Sequence, residues 1–76
     1  MAWKFLGACY GDKFIIDGLD IFREKWENTS ELAQINDPHY GQPFTFNVWK
    51  VKKGNKVIVF AAGEFSNSVF GIYIKK

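Results

Sequence analysis

The amino-acid sequence predicts a small two-layer α+β domain, an antiparallel β-meander over residues 44–75 with one main helix, about 18–28, packed on one face. Three observations carry that expectation. The last third of the chain reads as three apolar runs separated by Gly54-Asn55 and Ser66-Asn67, both suited to two-residue hairpin loops. Leu19, Phe22 and Trp26 recur at i, i+3 and i+7, with Arg23, Glu24, Lys25 and Glu27 on the other side, which is the spacing of a one-sided helix. Finally, 76 residues with 47% hydrophobic and 18% aromatic side chains suffice for one core of large groups and leave no room for a second, so residues 1–76 are read as a single domain.

The elements follow in order. Trp3 to Tyr10 reads as a strand, and Gly11-Asp12 as a turn leading to the short β-branched run Phe14-Ile15-Ile16, so the two could form an N-terminal hairpin. Asp17 stands where a helix N-cap belongs, able to accept from the free amides of the first turn, and Asp20 favours the positive end of the helix dipole. The helix is expected to start near Gly18 and to stop at Asn28-Thr29-Ser30. Residues 30–35 fit a further helical turn and a short strand equally well. Asn36 to Pro43 is dense in turn formers and reads as a loop. Phe44 to Lys52, Lys56 to Phe65 and Ser68 to Lys75 are the three strands of the meander.

Two-residue loops fix a register in which Lys53 faces Lys56 and Phe65 faces Ser68. One face then collects Phe44, Phe46, Val48, Val59, Ala61, Phe70, Ile72 and Ile74, the surface expected to lie under the helix. The other face aligns Trp49, Phe60 and Tyr73 across three strands, flanked by Val51 and Ile58 on one side and by Asn47, Ala62, Glu64 and Val69 on the other. A row that large is costly to leave in water. Three coverings are compatible with it: the N-terminal segment through Trp3, Phe5 and Leu6, a second copy of the chain, or a flat anionic ligand.

The third covering points to single-stranded nucleic acid, whose bases stack on aromatic side chains while lysines hold the backbone. Lys50, Lys52, Lys53 and Lys56 cluster at the first hairpin, and Lys75 and Lys76 end the last strand. Charge divides accordingly: residues 1–38 carry seven acids and four bases, net −3, and residues 39–76 one acid and six bases, net +5. Lysines at hairpin tips also keep edges soluble, and no RNP1-type pattern is present. Glu64, the single acid of the basic half, reads as a partner for the neighbouring turn or as a polar anchor beside the aromatic row.

Catalytic chemistry has one candidate locus, Asp37, His39 and Tyr40 in the central loop, where a carboxylate could orient a histidine. No Ser, Thr or Cys stands in a motif that prepares a nucleophile, and no phosphate-binding glycine loop occurs. One Cys and one His cannot close a zinc site, and Cys9 has no second cysteine to pair with, so neither metal, cofactor nor internal disulfide is expected. Leu6-Gly7-Ala8-Cys9 resembles a bacterial lipobox, but five residues are too few for the leader it needs, and Cys9 is expected to be a small buried thiol. No apolar run is long enough to span a bilayer, and a cytoplasmic location is the expectation.

The function expected on these grounds is a small non-enzymatic interaction module, acting as a homodimer or through a protein partner. The alternatives are single-stranded nucleic-acid binding through the aromatic face and, behind it, a small enzyme using the Asp37/His39 loop.

Overall fold

The computed structural model describes residues 3–36, 43–66 and 68–75. The described residues are nearly all β and contain no α-helix. Strands β1 (Trp3–Cys9), β4 (Glu27–Asn36), β5 (Pro43–Lys53), β6 (Lys56–Ser66) and β7 (Val69–Lys75) form one antiparallel sheet in the order β1-β7-β6-β5-β4. A two-stranded ribbon of β2 (Ile15–Ile16) and β3 (Leu19–Asp20) and a 3₁₀ turn at Ile21–Arg23 belong to the segment joining β1 to β4. Since β1 and β4 are the two edges of the sheet, residues 10–26 cross from one edge to the other.

The α+β expectation is therefore corrected, and the local reason is legible. Asp17 and Gly18 both have positive φ, 55° and 78°, and Ile16 opposes Leu19, which makes Asp17-Gly18 the two-residue turn of a β-ribbon and not a helix start. Both central positions left-handed is the type I′ geometry that Asp-Gly favours. The capping residue is Asp20, whose Oδ1 accepts from the amides of Phe14 and Phe22 at 3.2 Å each. What it caps lasts three residues, because Glu24 is already extended at φ −112°, ψ 161°. Trp26 Nε1 donates to the Ile21 carbonyl at 2.7 Å and folds the chain back over the turn. The Leu19, Phe22 and Trp26 stripe is packed against the sheet, but on the face of Val51, Ile58 and Phe60, opposite to the Phe44, Phe46, Val48 and Val59 face expected beneath it. Its spacing reports burial, and a short irregular chain satisfies that as well as a helix; an isolated helix of about 11 residues would be marginal in water.

Two other expectations change with it. Residues 30–35 belong to β4, and the N-terminal hairpin does not form, because β1 pairs with β7, Trp3 opposite Lys75 and Cys9 opposite Phe70. A one-residue bulge at Leu6 sits between Phe5 opposite Tyr73 and Gly7 opposite Ile72. The bulge switches β1 between faces, so Trp3 packs on one side of the sheet and Cys9 on the other. A longer bulge interrupts β4, where Thr29, Ser30 and Glu31 oppose Val48 alone. Side chains satisfy it locally: Thr29 Oγ1 donates to the Val48 carbonyl at 2.9 Å, and Asn28 Oδ1 accepts from the Ser30 amide at 2.8 Å.

The meander is present, and its first hairpin has the expected register, Lys53 opposite Lys56 and Trp49 opposite Phe60. The second does not. A bulge between Glu64 and Ser66 places Glu64 opposite Phe70 and Ala61 opposite Tyr73, one residue away from a plain two-residue hairpin. A slip of one residue exchanges every side chain of β7 between faces. The apolar content of the sheet is therefore divided as two clusters, Val51, Ile58, Phe60, Ala62 and Ile72 on the face under the crossover segment, and Ala33, Ile35, Phe46, Val48, Ala61 and Tyr73 on the opposite face.

Candidate functional site

The centre of the covered face is sealed by the chain itself. Phe60 has no exposure, and Trp26 stands edge-on to it at 4.8 Å between centroids and 84° between planes. Trp26 also lies 5.7 Å from Trp49 and 5.1 Å from Phe22, and Val51 and Ile58 are buried in the same cluster. Trp49 and Phe60 thus pair as the sequence implies, but under Trp26. Tyr73 does not join them: it is buried on the opposite face, 6.0 Å from Phe46 and 5.2 Å from Phe5. The three aromatics do not form one row available for stacking.

The lysines divide in the same way. Lys53 Nζ is 3.3 Å from Glu24 Oε2, and Lys56 Nζ donates to the Asp17 carbonyl at 2.7 Å, so these two fasten the hairpin tip to the crossover segment. Lys50 and Lys52 alternate with Trp49 and Val51 and so stand on the opposite face, as partners of Val59 and Val57 in the register. Lys50 also meets Glu27 at 3.7 Å. Lys75, two residues beyond Tyr73 on β7, holds its Nζ 5.8 Å above the centre of the Trp3 ring. Glu64 Oε2 accepts from the Ser68 amide at 2.9 Å, the turn-closing role among its two readings. Asn47 is exposed beside Ala62 on the covered side of the sheet, beyond the reach of the crossover segment's aromatic group. Asp37, His39 and Tyr40 lie outside the described residues.

The opposite face has two halves. Toward the β5 N-terminus it is filled by Phe44, Phe46, Ala33 and Ile35; Phe46 lies over Gly63, where a Cβ would overlap its ring. Toward the Lys53/Lys56 hairpin it is apolar and accessible, with Val57 53% and Val59 44% exposed, and on the edge strand Phe5, level with Ala61, is 48% exposed. Lys50 and Lys52 run along one side of the two valines, and Lys75 along the other. Sequence reasoning placed Val59 in the core beneath the expected helix, which its exposure corrects, offered Trp3 and Phe5 only as a cover for the other face, and took none of these residues or Val57 as part of a site. The signal was there in the unbroken run Val57-Ile58-Val59-Phe60-Ala61-Ala62, which makes both faces of β6 apolar, while one short covering segment can protect only one of them.

Among the described residues no group of three or more His, Cys, Asp and Glu side chains is placed to hold a metal ion, and no helix is long and apolar enough to cross a membrane. Compared with known proteins, the chain matches no family model, no curated protein and no solved structure.

Proposed function

We propose that this protein is a non-enzymatic interaction module that binds a protein partner through the accessible half of its opposite sheet face. The observation that carries the reading is the unequal covering of one sheet: residues 14–26 bury Phe60, Val51 and Ile72 completely, whereas Val57, Val59 and Phe5 on the other side stay about half exposed among lysines. Accessible apolar groups on one sheet face, rimmed by charge, are the usual composition of a surface that another molecule covers. A cytosolic setting is part of the proposal, in keeping with a free thiol at Cys9 that is buried in the core.

Stacking of single-stranded nucleic acid draws less support, since Trp49 and Phe60 lie beneath Trp26. The test is site-specific photo-crosslinking. A benzophenone side chain at position 59 is expected to give a discrete protein adduct in expressing cells, and one at position 32, where Leu32 is 68% exposed on another part of the surface, none. Equal adduct patterns from both positions would remove the case for this face.

A further inference from the structure

Resting on that reading, we infer that the occupant of this face is an acidic polypeptide segment carrying apolar side chains. The charge of the face makes the choice. Among the described residues Lys50, Lys52 and Lys75 stand on it against the single carboxylate of Glu27, which Lys50 already meets at 3.7 Å. Lys52 makes no ion pair among the described residues, and Lys75 is engaged only with the face of Trp3.

A second copy bound face to face would bring three further lysines against these three with one Glu27 from each side, an arrangement that repulsion opposes. Nucleic acid would match the lysines but not the strip between them. Val57 and Val59 have no π-face on which a base can stack, the Trp3 ring is occupied by Lys75, and Phe5 is tilted 57° against Tyr73. An apolar strip two residues long with ammonium groups on both sides is matched by aliphatic or aromatic side chains flanked by carboxylates. Burial of the valines would supply affinity, and the lysine rows would supply attraction at a distance and exclusion of basic partners.

The experiment pans a phage-displayed random dodecapeptide library on the full chain, on Val59→Ser and on Lys52→Ser/Lys75→Ser, with circular dichroism and the thermal midpoint confirming that each is folded. A dT15 oligonucleotide is titrated into the same three proteins. Peptides enriched on the parent are expected to be net acidic with at least two apolar residues, and to bind each variant about tenfold more weakly, the scale on which a central interface residue acts. Enrichment that depends on Val59 but shows no acidic bias would overturn the inferred chemistry and leave the face standing as an interaction surface. Tight dT15 binding lost with the lysines and indifferent to Val59 would overturn it in favour of nucleic acid. If no peptide is enriched above an unrelated control protein, the inference and the reading beneath it both fall. Should Lys52→Ser/Lys75→Ser be poorly folded, the charge-reversed Lys52→Glu supplies the electrostatic arm, with a larger loss expected for acidic peptides.

Discussion

The two faces of the sheet carry similar apolar content and differ in how it is enclosed. On the covered face a separate piece of chain delivers Phe14, Ile21, Phe22 and Trp26 onto Val51, Phe60 and Ile72, so burial is complete although the covering segment has almost no regular structure. On the opposite face large side chains lie along the sheet, Phe46 over the strip that Gly63 and its cross-strand partner Gly71 leave free of side chains, and the protection fades toward the lysine hairpin. The comparison teaches that Phe46 can cover its own sheet here because β6 and β7 offer glycine beneath it. Beyond Gly63 the valines of β6 project outward and stay about half exposed.

Perturbing each face should give effects of very different size. The largest is expected for Phe60→Ala, which empties the centre of the covered face beneath Trp26; such a truncation costs about 3–5 kcal/mol, a large share of what holds a domain of this size. Urea denaturation should find the variant largely unfolded near neutral pH at room temperature. A midpoint close to the parent's would mean that the crossover segment is not the lid described. Gly63→Val comes next, since the new side chain takes the space of the Phe46 ring; overpacking of this kind costs about 1–3 kcal/mol. Phe46→Ala in the same chain should recover part of that loss, and strict additivity of the two changes would argue against the packing of ring on glycine.

Smaller effects belong to the crossover segment's own geometry. Gly18→Ala places a Cβ at φ 78° and should cost about 1 kcal/mol, read as a fall of roughly 4–8 °C in thermal midpoint. No fall would indicate that Asp17-Gly18 is not the left-handed turn of a ribbon. Trp26→Phe keeps most of the aromatic packing and loses the donor to Ile21, at about 0.5–1.5 kcal/mol. At the bottom of the scale, Val59→Ser should change stability by no more than about 0.5 kcal/mol, because the side chain is already half in water. If Val59→Ser proves as damaging as Phe60→Ala, the accessible half of the opposite face is in fact core, and the functional proposal fails with it.

Much of the meander was legible because short-range chemistry dictates it. Gly54-Asn55 between alternating runs fixes the first hairpin and the pairing of Trp49 with Phe60. Around Ser66 the same reasoning failed by one residue. Ser68 takes φ 68° and its amide is held by Glu64, so the chain turns with an extra residue on β6, and Tyr73 passes to the other face. The aromatic row of Trp49, Phe60 and Tyr73 exists only in the unslipped register. The helix expectation failed for a related reason: the spacing of Leu19, Phe22 and Trp26 was read correctly as burial, while Asp17-Gly18, the strongest local turn signal in that stretch, was read as a cap.

The sequence by itself determined that this chain is rich in large apolar side chains, has three meander strands in the basic half, and carries apolar residues on both sides of β6, since composition and period-two alternation are local properties. The tertiary structure alone decided which face residues 10–26 would cross, how the one-residue bulges in β1 and β6 apportion the side chains of β1 and β7, and hence which apolar groups were left accessible. A bulge shifts register by one residue at slight local cost but reverses a whole strand's facing, and only the packing of all strands together selects among such near-equal local choices.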